Sequence, residues 1–185
     1  RAMQRFPQLS LRPDDRVLFQ SYSGFVDARK ANAVHSVLGR ARGGEILEST
    51  PVTAIEPLDD GVRVETANGA FTCRKLVITA GAWTQRLAEY AGINLPLTVT
   101  EEQVTYFATP NLRDFSPERF PVWIWHGKDN FYGFPVYGEV ATKAGEHVGG
   151  DMVTVETRRM APNPRPLRKL QDFLAERIPG FLGPI

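Results

Sequence analysis

The sequence predicts an α+β protein, with helices and mostly antiparallel strands. An amphipathic helical pattern occupies residues 28–42, and closely spaced strand patterns with short turn signals follow it. After residue 95, long helical periodicity gives way to aromatic-rich strand patterns separated by Gly, Pro, Asn and Asp. The 185 residues are 42% hydrophobic and 23% charged, which is typical of a globular protein with a sizeable core.

Composition excludes several classes of function. A formal net charge of +1 provides no strong field toward nucleic acid or a membrane surface, so we expect neither as a partner. The single cysteine, Cys73, excludes an intrachain disulfide framework, and the three histidines lack the spacing of metal ligands. We therefore expect no metal site. No apolar run reaches 18 residues and no signal peptide opens the chain, so we expect a cytoplasmic protein.

The first elements are an irregular segment and one helix. Residues 1–25 contain turn-forming pairs and one short strand pattern at residues 17–20. Asp27 is a favourable N-cap for the helix at residues 28–42, and Gly43-Gly44 end it. Apolar residues at spacings of three and four predict a face turned toward the core: Ala31, Val34, Val37, Leu38 and Ala41.

A β meander follows the helix. A short strand at 45–48 is expected first, then strands at 52–58 and 62–66 around Asp59-Asp60-Gly61. Asn68-Gly69 predicts a second hairpin, which leads into a strand at 70–74.

The stretch from Leu76 to Trp83 predicts a short buried strand of the parallel type, a turn at Ala80-Gly81 and a helix from Trp83 to Ala91. Ligands of open α/β sheets bind outside the carboxyl ends of strands, so this turn is a candidate border of a cofactor site. A plain strand-turn-helix junction is the alternative interpretation.

The second half predicts a separate sheet and a final helix. Strands are expected at 98–107, 122–126, 131–135 and 140–148, with a short helix at 156–160. Residues 161–166 form a proline-rich connector, and an amphipathic helix covers 167–178. The predicted organisation is therefore a first domain at 1–94, an antiparallel β domain at 95–160, and a linker with a C-terminal helix at 161–185.

Polar side chains with chemical potential cluster in the predicted sheet. Alternation along 140–148 places Lys143, Gly145 and His147 on one face, and a hairpin brings Tyr132 near His147. Such a face is suited to line a site for an anion or a redox centre. The alternative is an ordinary solvent-facing side of a sheet. The sequence contains no Gly-x-Ser-x-Gly, no P-loop and no Gly-x-Gly-x-x-Gly.

Several stretches in register resemble one group of flavoenzymes, the monomeric sarcosine oxidase and N-methyl amino acid oxidase group of the D-amino acid oxidase superfamily. The most specific of them are Ile78-Thr79-Ala80-Gly81-Ala82-Trp83, Tyr132-Gly133-Phe134-Pro135 and Lys143-Ala144-Gly145-Glu146-His147. The helix at 27–44, Thr50-Pro51-Val52 and Glu65-Thr66-Ala67-Asn68-Gly69 accompany them in the same order.

The resemblance implies a fragment of an α/β FAD-binding fold into which a mostly antiparallel substrate-domain sheet is inserted. Residues 1–94 would be part of the FAD-binding domain, and residues 95–160 would cover the flavin. The glycine-rich phosphate motif and the cysteine that attaches FAD in this family have no counterpart in these 185 residues, and Cys73 does not match that cysteine. We therefore expect a central fragment that is inactive alone.

The resemblance also assigns roles to residues of both halves. Lys143 matches the lysine that faces the flavin and promotes its reoxidation by O₂. Tyr132 and His147 match residues that line the substrate pocket and orient the amine, and Trp123 falls at a substrate-facing position where its size departs from the usual residue. The expected contacts to the cofactor come from Val52, Ala80, Gly81 and Trp83.

The implied reaction is FAD-dependent oxidation of a secondary amine or N-methyl amino acid to an imine, with O₂ reduced to H₂O₂. The alternatives are an FAD-dependent dehydrogenase, a glycine or D-amino acid oxidase of the same superfamily, and a non-catalytic α+β ligand-binding module. The sequence predicts neither the individual amine nor the oligomeric state.

Overall fold

A computed structural model describes residues 1–147 and 149–185, which fold into two compact units. We name them the helix–meander unit and the sheet unit. The helix–meander unit comprises Val26–Val99 and Val153–Thr157. The sheet unit comprises the described residues of Arg1–Phe25, Thr100–Met152 and Arg158–Ile185.

The mixture of helices with antiparallel strands confirms the predicted α+β class. In the helix–meander unit the elements are α2 (Ala28–Ala41), β1 (Val52–Leu58), β2 (Gly61–Thr66), β3 (Gly69–Cys73), a 3₁₀ turn (Gly81–Trp83) and α3 (Thr84–Tyr90). In the sheet unit they are α1 (Ala2–Arg5), β4 (Thr100–Glu101), β5 (Val104–Phe107), β6 (Trp123–Trp125), β7 (Phe131–Phe134), β8 (Thr142–Glu146), β9 (Asp151–Met152), α4 (Pro164–Arg177) and a 3₁₀ turn (Pro179–Phe181).

The helix–meander unit is built on the predicted meander. Strands β1, β2 and β3 pair antiparallel in sequence order, and α3 packs against β1. The Asp27 side chain accepts a hydrogen bond from the Lys30 backbone N–H, 3.1 Å away, so it caps α2 as expected. Only Ile55, Val64 and Ala88 of this unit are buried hydrophobic residues, which makes its described core small.

Three predictions for this unit are wrong. Residues 45–48 and 76–79 form no strand, and Val77 is 81% exposed. A buried parallel strand needs hydrogen-bonded neighbours, and no strand of the described residues pairs with 76–79. The apolar face of α2 is also uncovered among the described residues, with Val37 at 64% exposure and no buried residue in the helix.

The sheet unit has a larger core between a four-stranded sheet and α4. The strand order is β5-β8-β7-β6, and every neighbouring pair is antiparallel. Asn163 caps α4, and prolines are tolerated in its first turn because those backbone N–H groups have no helical partner. The helix and the 3₁₀ turn complete a core of Phe107, Phe115, Phe120, Phe131, Ala144, Leu170, Leu174, Ile178 and Phe181.

Other boundaries in this unit differ from the predictions. The pattern at 98–107 is interrupted, so β4 pairs with β9 while β5 joins the larger sheet. Residues 17–20 form no strand, and the helix expected at 156–160 is absent, with a turn at 155–157 in the helix–meander unit. The short elements α1 and β9 lack enough periodicity to be found from sequence. Val148, the last residue of the strand predicted at 140–148, lies outside the described residues.

The packing units are divided differently from the predicted domains. Residues 1–25 pack with the sheet unit, whereas the helix α2 that follows them is part of the helix–meander unit. Helix α4 contributes to the core of the sheet unit. One reason is the buried Arg177, whose guanidinium donates to the Asp15 carboxylate at 2.8 Å and thereby joins the first segment to the last helix. The assignment of functions to the two halves stays a prediction.

Candidate functional site

The outer face of the four-stranded sheet holds two of the candidate residues, Tyr132 and Lys143. In β7 and β8, Tyr132 is opposite Gly145 and Phe134 is opposite Lys143, so these four residues share one face. Strand β5 adds Tyr106 beside Lys143. The intervening residues, including Thr142 and Ala144, face the core and are fully buried.

Lys143 lies over aromatic rings on this face. Its Nζ is 5.0 Å from the centroid of Phe134 and 5.8 Å from that of Tyr106, within the range of a cation–π interaction. Across residues 1–147 and 149–185, no carboxylate lies within 4.0 Å of this ammonium group. Lys143 therefore supplies a positive charge that is held by apolar rings.

Tyr132 and His147 come together at the other end of the face, as the hairpin pattern predicts. Their rings are 6.3 Å apart at an angle of 86°. The His147 backbone N–H donates to the Asn130 carbonyl at 2.8 Å, while its side chain is exposed. The pair offers a phenol and an imidazole within the reach of one small molecule.

Burial raises the pKa of Tyr132, and coulombic interactions with Glu102 and Tyr106 add to the effect. The phenol is therefore a neutral hydrogen-bond donor over the whole physiological range of pH. Gly145 creates the space for this ring, because a Cβ at that position would lie 3.0 Å from the Tyr132 Oη and 3.0 Å from the Gln103 carbonyl oxygen.

Trp123 does not share this face, and its expected substrate-facing role stays a prediction. Strand β6 pairs Trp123 with Gly133, and Gly133 is on the core side of β7. The indole accordingly packs against Phe173 of α4, with ring centroids 5.9 Å apart, and against Phe181 at the same distance. On the outer face of β6 the structure has Ile124, which is 64% exposed.

The candidate cofactor contacts of the helix–meander unit lie on different elements. Val52 is the first residue of β1, whereas Ala80 precedes the 3₁₀ turn that contains Gly81 and Trp83. Gly81 has φ +55°, a conformation that favours glycine, and a Cβ there would meet no atom within 4 Å. The turn thus leaves its backbone open to close approach, and Trp83 is 51% exposed beside it.

Sequence reasoning missed the aromatic residues that surround Lys143. Phe134 and Tyr106 alternate along their strands with residues that face the core. This alternation is the sequence signal that could have placed them on the outer face. Phe25 had no such signal, because it ends an irregular segment and reaches Phe134 through tertiary packing, with ring centroids 5.9 Å apart.

Two further classes of feature are absent from the described residues. No three His, Cys, Asp or Glu side chains within residues 1–147 and 149–185 come together as a metal-binding group. In the same residues, no helix combines the length and the apolar character that crossing a membrane requires.

Curated relatives share this chain's sequence over most of its length. Monomeric sarcosine oxidase of Streptomyces avermitilis is 32% identical over a match 186 residues long. The match covers 97% of this chain and 48% of that protein. Monomeric sarcosine oxidase of Bacillus sp. is 28% identical, covering 97% and 47%. N-methyl-L-tryptophan oxidase of Escherichia coli is 31% identical, covering 82% and 40%. The chain thus spans about half the length of the curated relatives it matches.

Solved structures have a similar fold. NikD, an amino acid oxidase essential for nikkomycin biosynthesis, superposes with a TM-score of 0.66 at 25% identity, covering 84% of this chain and 41% of NikD. L-proline dehydrogenase from P. horikoshii superposes with a TM-score of 0.74, covering 96% and 46%. Its 19% identity supports the fold alone.

The family comparison covers every residue. Residues 1–185 match the family model described as DAO, FAD dependent oxidoreductase, and the curated relatives are named sarcosine oxidase and N-methyl-L-tryptophan oxidase. This result agrees with the oxidoreductase that the resemblance implies and favours it over a non-catalytic binding module. The chain belongs to the DAO family of FAD-dependent oxidoreductases.

Proposed function

We propose that the whole protein containing this chain oxidises a secondary amine or N-methyl amino acid to an imine and reduces O₂ to H₂O₂. The observation that carries the proposal is the position of Lys143, a cation over two aromatic rings on the same sheet face as Tyr132. The names of the relatives, monomeric sarcosine oxidase and N-methyl-L-tryptophan oxidase, support the same class of substrate.

The residues of the chain suit FAD as the cofactor. In the helix–meander unit, the open backbone at Gly81 allows a cofactor group to approach closely. In the sheet unit, taken by itself, the Lys143 charge suits a neighbouring group that becomes anionic. Val52, Ala80, Gly81 and Trp83 would hold the cofactor in the helix–meander unit. When bound, FAD accepts the two electrons of the amine and passes them to O₂.

Each residue of the outer face then has a distinct task. Tyr132 donates a hydrogen bond to the substrate, since its raised pKa keeps the phenol protonated. His147, 6.3 Å from Tyr132 between ring centroids, orients the same molecule from the exposed side. Lys143 provides a fixed positive charge that stabilises negative charge as it develops on oxygen.

Substitution of Lys143 by Met should separate the two halves of the reaction. Loss of one preorganised charge should slow reoxidation by O₂ by about 100-fold, while reduction of the cofactor by the amine changes by less than about tenfold. Stopped-flow measurement of each half-reaction in the full-length protein checks this. Lys128→Met, on an exposed loop of the sheet unit, is the matched control. Equal slowing of both half-reactions would contradict the role of Lys143.

A dehydrogenase of the same superfamily is the competing activity. Comparison of the steady-state rate with O₂ and with an artificial electron acceptor decides between them, because an oxidase retains most of its rate with O₂.

We also propose that the 185 residues alone do not turn over, since the glycine-rich phosphate motif is missing from them. Sustained H₂O₂ release from this chain with FAD and sarcosine would disprove that proposal.

A further inference from the structure

Phe25 packs against the end of the outer sheet face where Lys143 lies. Its ring meets Phe134 edge-on, with centroids 5.9 Å apart at 85°, and meets Tyr137 at 4.7 Å and 71°. The side chain is half-buried, whereas its neighbours Gly24 and Val26 are exposed. Phe25 is therefore the anchored residue of an otherwise exposed segment.

The ring that Phe25 contacts is also the ring that carries Lys143. Lys143 Nζ lies 5.0 Å from the Phe134 centroid. Tyr132 also contacts Phe134, with ring centroids 6.0 Å apart at an angle of 89°. The orientation of Phe134 thus depends on two edge-to-face contacts, one from Tyr132 within the sheet and one from Phe25 outside it.

We infer that Phe25 is a positioning residue for Lys143, acting through the ring of Phe134. A cation–π interaction requires the cation over the ring face, so a ring free to tilt no longer fixes the ammonium group. Lys143 has no carboxylate within 4.0 Å in the described part of the chain, and the rings are its observed restraint. The catalytic consequence of this positioning, though not the positioning itself, rests on the proposed function.

The inference can be tested on the lysine itself in the full-length protein. Reductive methylation with isotope-labelled formaldehyde places NMR-visible methyl groups on Nζ, and the Lys143 signal is the one absent from Lys143→Arg. Aromatic rings shift such a signal upfield when the cation lies over them. We expect Phe25→Ala to remove most of this shift, Phe25→Leu to remove part of it, and Phe25→Tyr to preserve it. Phe19→Leu is the control, because Phe19 packs against Phe6 and Arg5.

The kinetic measurement uses the same variants. Phe25→Ala should lower the rate constant for reaction with O₂ about fivefold, which corresponds to the loss of one exposed cation–π contact. Phe25→Tyr should restore the rate, and reduction by the amine should stay unchanged. If Phe25→Ala does not fold, Phe25→Leu provides the same comparison.

The outcomes separate the inference from the proposed function. An unchanged Lys143 signal in Phe25→Ala and Phe25→Leu overturns the positioning role, whatever the kinetics. A lost shift with a normal rate toward O₂ supports the positioning role and contradicts the proposed task of Lys143. A lost shift with a slower reaction toward O₂, both restored by Phe25→Tyr, supports both.

Discussion

Gly145 illustrates, at the scale of single residues, how a missing side chain makes room for a neighbouring one. The Tyr132 hydroxyl and the Gln103 carbonyl both approach the space that a Cβ of Gly145 would occupy, each at 3.0 Å. The phenol can therefore lie across β8 and reach toward His147. Partial burial of the Tyr132 phenol changes its pKa.

Tyr132 should ionise above about pH 10, later than a free tyrosine, because burial raises its pKa. The folded state then holds the phenol proton more tightly than the unfolded chain does. This contribution to stability is complete below about pH 10 and is lost as the pH rises through the folded pKa.

A difference titration of phenolate absorbance between the wild type and Tyr132→Phe measures that ionisation. The difference signal should appear above the pH at which a free tyrosine titrates. Its appearance at or below that pH would show that Tyr132 is solvated and would remove its assignment as a neutral donor.

At the scale of elements, the alternation of side chains along a strand decides which of them face the core. Gly133 is on the core side of β7, and a Cβ there would overlap the indole of Trp123. We expect Gly133→Ala to lower the free energy of unfolding by about 1–3 kcal/mol, the usual cost of overpacking. Urea unfolding of the variant measures the change. Gly24→Ala is the control, since a Cβ at Gly24 meets no atom within 4 Å, and an equal loss in both variants would contradict the steric explanation.

The sequence predicted the parts of the site that depend on local alternation. Lys143, Gly145 and Tyr132 share a face because β7 and β8 form a hairpin pair whose pattern is visible in the residues themselves. The face of the sheet on which Trp123 lies was not predictable, because it depends on the register between β6 and β7.

Tertiary context limited the remaining predictions. Residues 76–79 look like a buried strand from their apolar composition, but burial is decided by neighbours and not by the segment. The pattern predicts a start of the last helix at 167, after Pro166, whereas α4 begins at Pro164, because Pro164 belongs to a proline-rich run that looks like a connector although proline is compatible with the first turn. Phe25 was missed because its contacts come from distant parts of the chain.

At the scale of the whole molecule, the two units differ in how much apolar surface they bury. The described core of the sheet unit includes five phenylalanines, Phe107, Phe115, Phe120, Phe131 and Phe181, whereas the helix–meander unit buries Ile55, Val64 and Ala88. Opening of a segment costs less free energy where fewer apolar contacts are lost.

Hydrogen exchange of the 185-residue chain should reflect this difference. Backbone amides of α2, which has no buried residue, should exchange through local opening well before those of α4, which buries Leu170 and Leu174. Mass spectrometry of peptides from the two helices measures both rates in one sample. Equal protection of α2 and α4 would show that the apolar face of α2 is covered in solution.

The alternation of β8 also constrains how this protein can change its length during evolution. Loss or gain of one residue ahead of Lys143 would turn the lysine into the core and Ala144 outward, so one event would damage the packing and remove the lysine from the outer face. A change of two residues restores the original sides. In a library of insertions and deletions within β8, surviving activity should therefore be concentrated among even-numbered changes, and frequent survival of single-residue changes would show that the strand can shift its register at little cost.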